Sequence, residues 1–311
     1  MDVTSLYTNI RQEEGISTMC NAYECFHNYK LPIPTHFLTD TLRLILKENS
    51  FQFNGKNHLP IRGTAMGTKM AGSFANLFMA AVETEILNVS TKKPLVWKRC
   101  IDDVSSLSNI NIEEIDGFSK QANRHHPTIK FTAEILDKET IFLDTCVYKG
   151  DRFWETSILD MRTHYKPTET FHYPHFSSCH PPGVSKEFIK GEALRVLRTN
   201  SSKNSFEENI RAFKSRLRMR GYPDNLVNIL LSELKFEERK LALLQKIRAH
   251  NRIPPLVTQY HPAVTNLQKI LMSKWHLIEN HPLLSEIYKD PPIIWYRRGK
   301  SLKDILVRSK L

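Results

Sequence analysis

Apolar positions recur with helical spacing over several long stretches of this chain and with strand-like spacing over short ones. Residues 11–30 carry a helical pattern, and Leu38, Leu42, Ile45 and Leu46 follow the i, i+4, i+7, i+8 order of a helix with one buried face. Ser50 to Asn54 and Asn57 to Pro60 flank Asn54-Gly55, a pair that supplies the positive φ angles of a tight hairpin. Phe74, Leu77, Phe78, Ala81, Val82 and Ile86 form one stripe that predicts a helix packed on a sheet. A strand pair is expected around Asp102-Asp103. Asn111-Ile112-Glu113-Glu114 then reads as a capping-box start for a helix to about Asn123. Strands are expected over Ile129 to Ile135 and Thr140 to Tyr148, with Lys149-Gly150-Asp151 turning the second back onto Arg152 to Leu159.

Beyond residue 158 the pattern changes. Thr163 to Val184 is aromatic, His-rich and Pro-punctuated without a period, which predicts an ordered crossing loop. Three helices follow by spacing: Ser185 to Arg198, Phe206 to Arg220, and Asp224 to about Arg248. Ser205 with Glu208 reads as a capping box for the second, and Gly221-Tyr222-Pro223 ends it. A Pro-rich joint over Arg252 to Pro262 leads to a helix from Val264 to His276. A Ser301/Asp304 cap with Leu302, Ile305 and Leu306 closes the chain. The fold class expected is α+β, an antiparallel sheet with packed helices followed by an all-α part, divided as 1–158, 159–250 and 251–311.

With 311 residues, 41% of them hydrophobic, the chain can bury a real core. The formal charge of +11 favours a polyanionic partner such as nucleic acid. Residues 184–250 concentrate that excess, with 15 Lys and Arg against 8 Asp and Glu. Arg211, Lys214 and Arg218 fall at i, i+3, i+7 with Arg216 and Arg220 beside them, while Phe206, Ile210, Phe213 and Leu217 face inward. Separate basic and apolar stripes suit gripping a phosphate backbone; a solvated charged face is the competing reading. The five cysteines lack paired spacing, which argues against a disulfide framework or a zinc ribbon, and His175, Cys179 and His180 read as structural. No run approaches ~18 apolar residues. A nuclear or cytoplasmic location without membrane or secretion follows as an expectation.

The candidate chemistry sits in three segments. In the run Lys98 to Val104, Asp102 and Asp103 are adjacent carboxylates, which repel each other in a short hairpin unless a cation neutralises them. Asp-Asp is also ordinary turn chemistry. Asp2 offers a third carboxylate, with Tyr7 five positions on. Between them, Arg62 to Ala71 is a glycine-punctuated basic loop that runs into the apolar helix.

In that order the segments resemble motifs A, B and C of a reverse transcriptase palm. The wording "DVTSLYTNI", "GTAMGTKMA", "IDDV", "IKFTAEI", "FLDTCVYKG" and "THYKPTETF" resembles the Penelope-like element reverse transcriptases, telomerase-related retroelement enzymes, over nearly the whole chain. The resemblance implies a palm over 1–158, a helical thumb with a helix-turn-helix-like unit over 159–250, and a connector over 251–311. It implies RNA-directed DNA polymerisation with two magnesium ions ~3.5–4 Å apart. Asp2 and Asp102 would bridge them, Asp103 would be a further ligand, and the Val3 carbonyl could add one. Tyr7 would refuse a 2′-hydroxyl; Gly63 and Gly67 would let backbone approach template and base; Lys69 would touch phosphate or template; Lys130 would protonate departing pyrophosphate. Phe142 and Leu143 resemble the primer-supporting motif E. The implied partners are an RNA template/DNA primer duplex and deoxynucleoside triphosphates, with oligomeric state open.

The chain departs from that pattern at several points. Cys100 stands where the family has an aromatic, Gly72 where it has Pro, and Ser105, Ser106 and Ser108 are unusually polar. Family members also carry upstream finger motifs and a carboxy-terminal GIY-YIG nuclease, so the expectation is a truncated copy. Two other readings compete: a non-catalytic nucleic-acid-binding remnant, and a helix-turn-helix regulator.

Overall fold

The computed structural model describes residues 1–28, 30–181, 183–244, 255–262, 264 and 267–297. The expected closing cap at Ser301 and Asp304, and the end of the expected helix to Arg248, lie outside them. Two compact units divide the chain, Met1–Leu143 and Asp144–Leu311. The limits at 158 and 250 expected from the motifs are functional ones and do not coincide with that division.

The first unit runs β1 (Asp2–Val3), α1 (Leu6–Asn9), α2 (Gln12–Phe26), α3 (Thr35–Lys47), β2 (Phe51–Phe53), β3 (Lys56–His58), α4 (Ala71–Val89), β4 (Val96–Cys100), β5 (Asp103–Leu107), α5 (Ile112–His125), β6 (Phe131–Thr132) and β7 (Glu139–Phe142). An antiparallel sheet in the order β4-β5-β1-β6 forms its frame. One face of that sheet is apolar: Val3, Val104 and Phe131 are buried with Phe74, Phe78, Met79 and Val82 of α4 and Phe118 and Ala122 of α5. Side chains alternate along a strand, so the residues beside Val3 and Val104, namely Asp2 and Asp103, fall on the opposite, solvent-facing side.

Local signals account for several elements. Asn54 and Gly55 both take positive φ, 49° and 73°, and close the β2–β3 hairpin as expected. Asn111 accepts from the Glu114 N–H while Glu114 returns a bond to Asn111, so α5 starts on a full capping box. The stripe of α4 departs from its expectation at Leu77, which is 37% exposed; Glu83 takes a buried place instead, because Trp97 and Arg99 supply it with partners. The strand expected over Ile129 to Ile135 shrinks to β6, and Thr140 to Tyr148 is broken at Leu143, whose φ is 53°.

The second unit begins with β8 (Thr145–Tyr148), α6 (Phe153–Thr156) and β9 (Asp160–Thr163). Here the expected strand from Arg152 is corrected: a single helical turn, α6, intervenes, and the antiparallel partner of β8 starts only at Asp160. Arg152 and the Ser201 hydroxyl both bind the Asp160 carboxylate at 2.7 Å, which fixes that later start. Then follow α7 (Val184–Thr199), α8 (Lys203–Met219), α9 (Asp224–Ser232), a 3₁₀ turn (Phe236–Glu238) and α10 (Arg239–Leu243). Helix α8 starts three residues before its expected beginning, because the Ser202 hydroxyl and not Ser205 caps it, accepting from the Ser205 N–H. The long helix expected from Asp224 ends at Ser232. Lys235 is extended there, and Phe236 packs against Phe206 with tilted rings 5.7 Å apart between centres.

Ile189, Ala193, Phe213, Leu217, Tyr222, Val227, Leu230 and Leu231 form the core of α7, α8 and α9. The fully buried Asn200 side chain donates to Thr163 Oγ1 and to the Val196 carbonyl, both at 2.7 Å, and accepts from Ser205 Oγ at 2.6 Å. That single amide ties β9 to the ends of α7 and α8. Further on lie β10 (Pro255–Gln259), α11 (Leu267–Lys274), α12 (His276–Glu279), α13 (Leu284–Ile287) and β11 (Ile293–Arg297), with β10 and β11 parallel. Among the described residues no helix is long and apolar enough to cross a membrane.

Candidate functional site

Asp2 and Asp103 are direct register partners across β1 and β5, so their side chains leave the same face of the sheet. The Val3 N–H donates to the Asp102 carbonyl at 3.0 Å and the Val104 N–H to the Met1 carbonyl at 2.8 Å. These bonds bring position 2 to positions 102 and 103. All three carboxylates are exposed. Burial, and then the charges of Asp102 and Asp103, hold the Asp2 carboxyl above its ordinary range.

The turn that presents Asp102 is held from beneath. Cys100 and Asp103 are partners, which leaves Ile101-Asp102 as a two-residue loop, and Ile101 sits at φ 59°, a region that β-branched residues avoid. The Arg99 guanidinium donates to the Ile101 carbonyl at 2.9 Å, to Asn76 Oδ1 at 2.8 Å, and to Glu83 Oε1 at 2.8 Å, and Trp97 Nε1 donates to the same Glu83 oxygen at 2.8 Å. Arg99 and Glu83 are only 9% and 11% exposed as side chains. Sequence reading missed this support; a glutamate inside the apolar stripe of α4 was the signal for it.

Tyr7 is half-buried against the first core, and its carbonyl accepts the Thr64 N–H at 2.8 Å. The Gly63 N–H donates to the Ile10 carbonyl at 2.9 Å, and the buried Gln12 amide reaches the Gly63 carbonyl at 3.1 Å. The Tyr7 segment and the glycine loop are therefore one bonded structure. Gly63 has φ +75°, and a Cβ there would lie 2.5 Å from the Tyr7 carbonyl oxygen; a Cβ on Gly67 would meet nothing within 4 Å. Gly63→Ala is expected to cost about 3 kcal/mol and Gly67→Ala within about 0.5 kcal/mol, read as urea midpoints of the two variants. Lys69 is exposed. Lys130 Nζ donates to the Asn123 and His126 carbonyls at 2.6 and 2.8 Å, so it caps the end of α5.

The donor set of Asp2, Asp102 and Asp103 is all hard oxygen, the chemistry that magnesium takes, and the repulsion that adds to burial in raising Asp2 is what a cation relieves. Among the described residues no three His, Cys, Asp or Glu side chains are drawn close enough to hold one ion. Asp2 faces its neighbours, and the three do not close on a point.

On α8 the five basic side chains divide. Arg211 is exposed and Lys214 half-exposed. Arg218 pairs with Asp224 at 2.9 Å, and Arg220 Nε donates to the Tyr173 carbonyl at 2.7 Å. Arg216 lies over the Phe171 ring at 3.4 Å from its centre and over Tyr165 at 4.9 Å. Of the five basic side chains expected to grip a phosphate backbone, Arg216, Arg218 and Arg220 thus make packing or pairing contacts within the chain.

Comparison with known proteins bears on this helical part. Residues 172–231 match the family model of the animal helix-turn-helix domain. That stretch takes in α7, α8 and nearly all of α9, so a helix-turn-helix-type unit stands where the resemblance implied one. No curated protein matches the chain. Among solved structures, a telomerase from Candida albicans, determined in complex with the TWJ fragment of telomeric RNA, is similar with a TM-score of 0.48 and 10% identity over 93% of this chain. The chain spans 48% of that telomerase chain.

Proposed function

We propose that the chain is the RNA-directed DNA polymerase core of a retroelement of Penelope-like type. Its first unit serves as the palm and its helix-turn-helix part holds the template–primer duplex. The observation that carries this reading is the pairing of β1 with β5, which sets Asp2 opposite Asp103 and beside Asp102. Three carboxylates on the open face of an antiparallel sheet suit an enzyme that must gather charge against phosphates.

Asp2 and Asp102 would hold magnesium, with Asp103 and the Val3 carbonyl as further ligands. Bound magnesium would lower the pKa of the primer 3′-hydroxyl and neutralise charge on the leaving pyrophosphate. Tyr7, fixed through its own carbonyl to the glycine loop, would lie under the sugar and select deoxynucleotides. Gly63, Gly67 and Lys69 would line the path of template and incoming base. Lys130 would be the proton source for pyrophosphate. Arg211 and Lys214 would meet the duplex backbone.

The match of residues 172–231 to a helix-turn-helix domain favours a second reading, a nucleic-acid-binding module without catalysis. One measurement separates the two. The purified chain is given a primed RNA template and deoxynucleotides with magnesium or with EDTA. Magnesium-dependent extension supports the polymerase, whereas salt-sensitive duplex binding with no extension rejects it in favour of the module.

A further inference from the structure

Strands β2 and β3 form a hairpin whose residues join no core, and positions 51–59 are all exposed. Register partners across an antiparallel pair leave the same face, and residues two apart on a strand share it. Phe51 faces His58 and Phe53 faces Lys56, so one face carries all four of these side chains while the other carries Gln52 and Asn57. The hairpin therefore has one polar face and one face of rings beside a cation.

The Phe51 and His58 rings stack across the strands at 25° with centres 5.5 Å apart, and the Phe53 ring lies 6.5 Å from His58. Phe51 is 54% exposed and Phe53 71%, so flat ring surface is left bare. A single exposed apolar side chain is ordinary, but rings gathered on one open face mark a binding surface. Charge decides between occupants: residues 51–62 hold Lys56 and Arg62 and no Asp or Glu, which favours a polyanion over an apolar protein patch. Spacing then decides the form of the polyanion. Residues two apart on a strand lie ~6.8 Å apart, twice the ~3.4 Å between stacked bases along one strand of a duplex. Phe51 and Phe53 thus match bases drawn apart, not a paired stack. Asn54 and Gly55, both at positive φ, close the two-residue turn that fixes where the rings stand.

We propose that this face seats unpaired bases of a single-stranded nucleic acid, one on the Phe51–His58 stack and the next on Phe53, with the Lys56 ammonium at a phosphate of the strand. Every base offers a flat π face, so such a seat tolerates any sequence. The inference goes beyond the polymerase reading. It uses ring surface where that reading uses carboxylates and helix cations, none of the four residues has a role in it, and a strand bound here needs neither magnesium nor nucleotide.

The test is fluorescence anisotropy of the full chain with a labelled oligouridylate of about 12 nucleotides, and with a blunt RNA duplex of the same length, across a salt series in EDTA without nucleotides. Chemistry at the carboxylates is then silent, so a chain that fails to extend primers can still pass and one that extends them can still fail. Phe51→Ala and Phe53→Leu are each expected to weaken single-strand binding about tenfold with an unchanged salt slope, because no charge is lost. Lys56→Gln should instead flatten that slope by about 0.7. Phe53→Trp should match or exceed wild-type affinity. Phe26→Ala, which removes an exposed ring from the end of α2, should change affinity by less than about twofold. Wild-type affinity in both Phe51→Ala and Phe53→Leu overturns the proposal, as does an equal loss of duplex binding in them, since unpaired bases would not then be what the rings hold. So does single-strand binding indifferent to Phe53→Leu beside a wild-type chain that dimerises in sedimentation and a Phe53→Leu chain that does not, because the face would then meet a second copy. If Phe51→Ala unravels the hairpin, Phe53→Leu, which keeps an apolar side chain on the strand, decides alone.

Discussion

Asp102→Asn is expected to lower primer extension by at least about a hundredfold while leaving the fold intact or slightly more stable. Asparagine is as good a turn residue as aspartate, so the Ile101-Asp102 loop and the Val3 bond to the 102 carbonyl persist. Only the charge goes. Opposed like charges on neighbouring strands are worth about 0.5 kcal/mol of destabilisation, which the variant regains in part. The pH dependence gives a signed check. Because the Asp2 carboxyl is raised in the folded chain, the folded chain keeps its proton to higher pH than the unfolded chain does. The penalty on the Asp2 charge, from burial first and repulsion second, is therefore absent below the ordinary carboxylate range and grows as pH rises through the raised value, and the variant removes only its repulsive share. Urea unfolding of wild type and variant should coincide near pH 3 and diverge in the variant's favour towards pH 7. A variant that extends primers like wild type removes these carboxylates from the chemistry.

Arg99→Leu should be the most damaging change outside the carboxylates, at about 3 kcal/mol or more. It leaves Glu83 as a buried charge with one neutral donor, Trp97, and it frees the Ile101 carbonyl from the contact that sits over its left-handed turn. Glu83→Leu alone strands the guanidinium in the same way. The double variant should recover part of the loss, since replacing both members of a buried pair with apolar side chains is often close to neutral. It should not recover extension, because the Ile101 carbonyl of the Asp102 turn then lacks the Arg99 guanidinium that holds it. A double variant whose loss in chemical unfolding equals the sum of the two single losses would mean that the pair is not coupled.

The elements that sequence made legible are those whose signal is local. Asn54-Gly55, the Asn111 capping box and the apolar spacing of α7 and α8 each depend on a few neighbouring residues, and each appears where expected. Elements that depend on distant partners were read poorly. Phe236 leaves a helical course to reach Phe206, and Asp160 delays a strand for the sake of Arg152 and Ser201. At the candidate site, the meeting of Asp2 with Asp102 and Asp103 was anticipated from the order of the motifs. The role of Arg99 is not legible locally, because a cation on a short strand reads as solvated until a glutamate on a helix is known to face it. The contact of Arg216 with Phe171 is not legible either, because helical spacing gives the azimuth of a side chain and not the rings that a loop lays under it.

Strand β1 is two residues long and lies between β5 and β6, so its partners emerge from the ribosome only after most of the first unit has been made. Asp2 and Thr132 touch across a separation of 130 residues. Asp2 can pair with Asp103 once β5 is free, but the other edge of β1 stays open until residue 132 can dock. The acidic face can therefore form before β6 is made, and ribosome-bound chains halted before Phe131 should leave the β6 edge of β1 open to strand exchange.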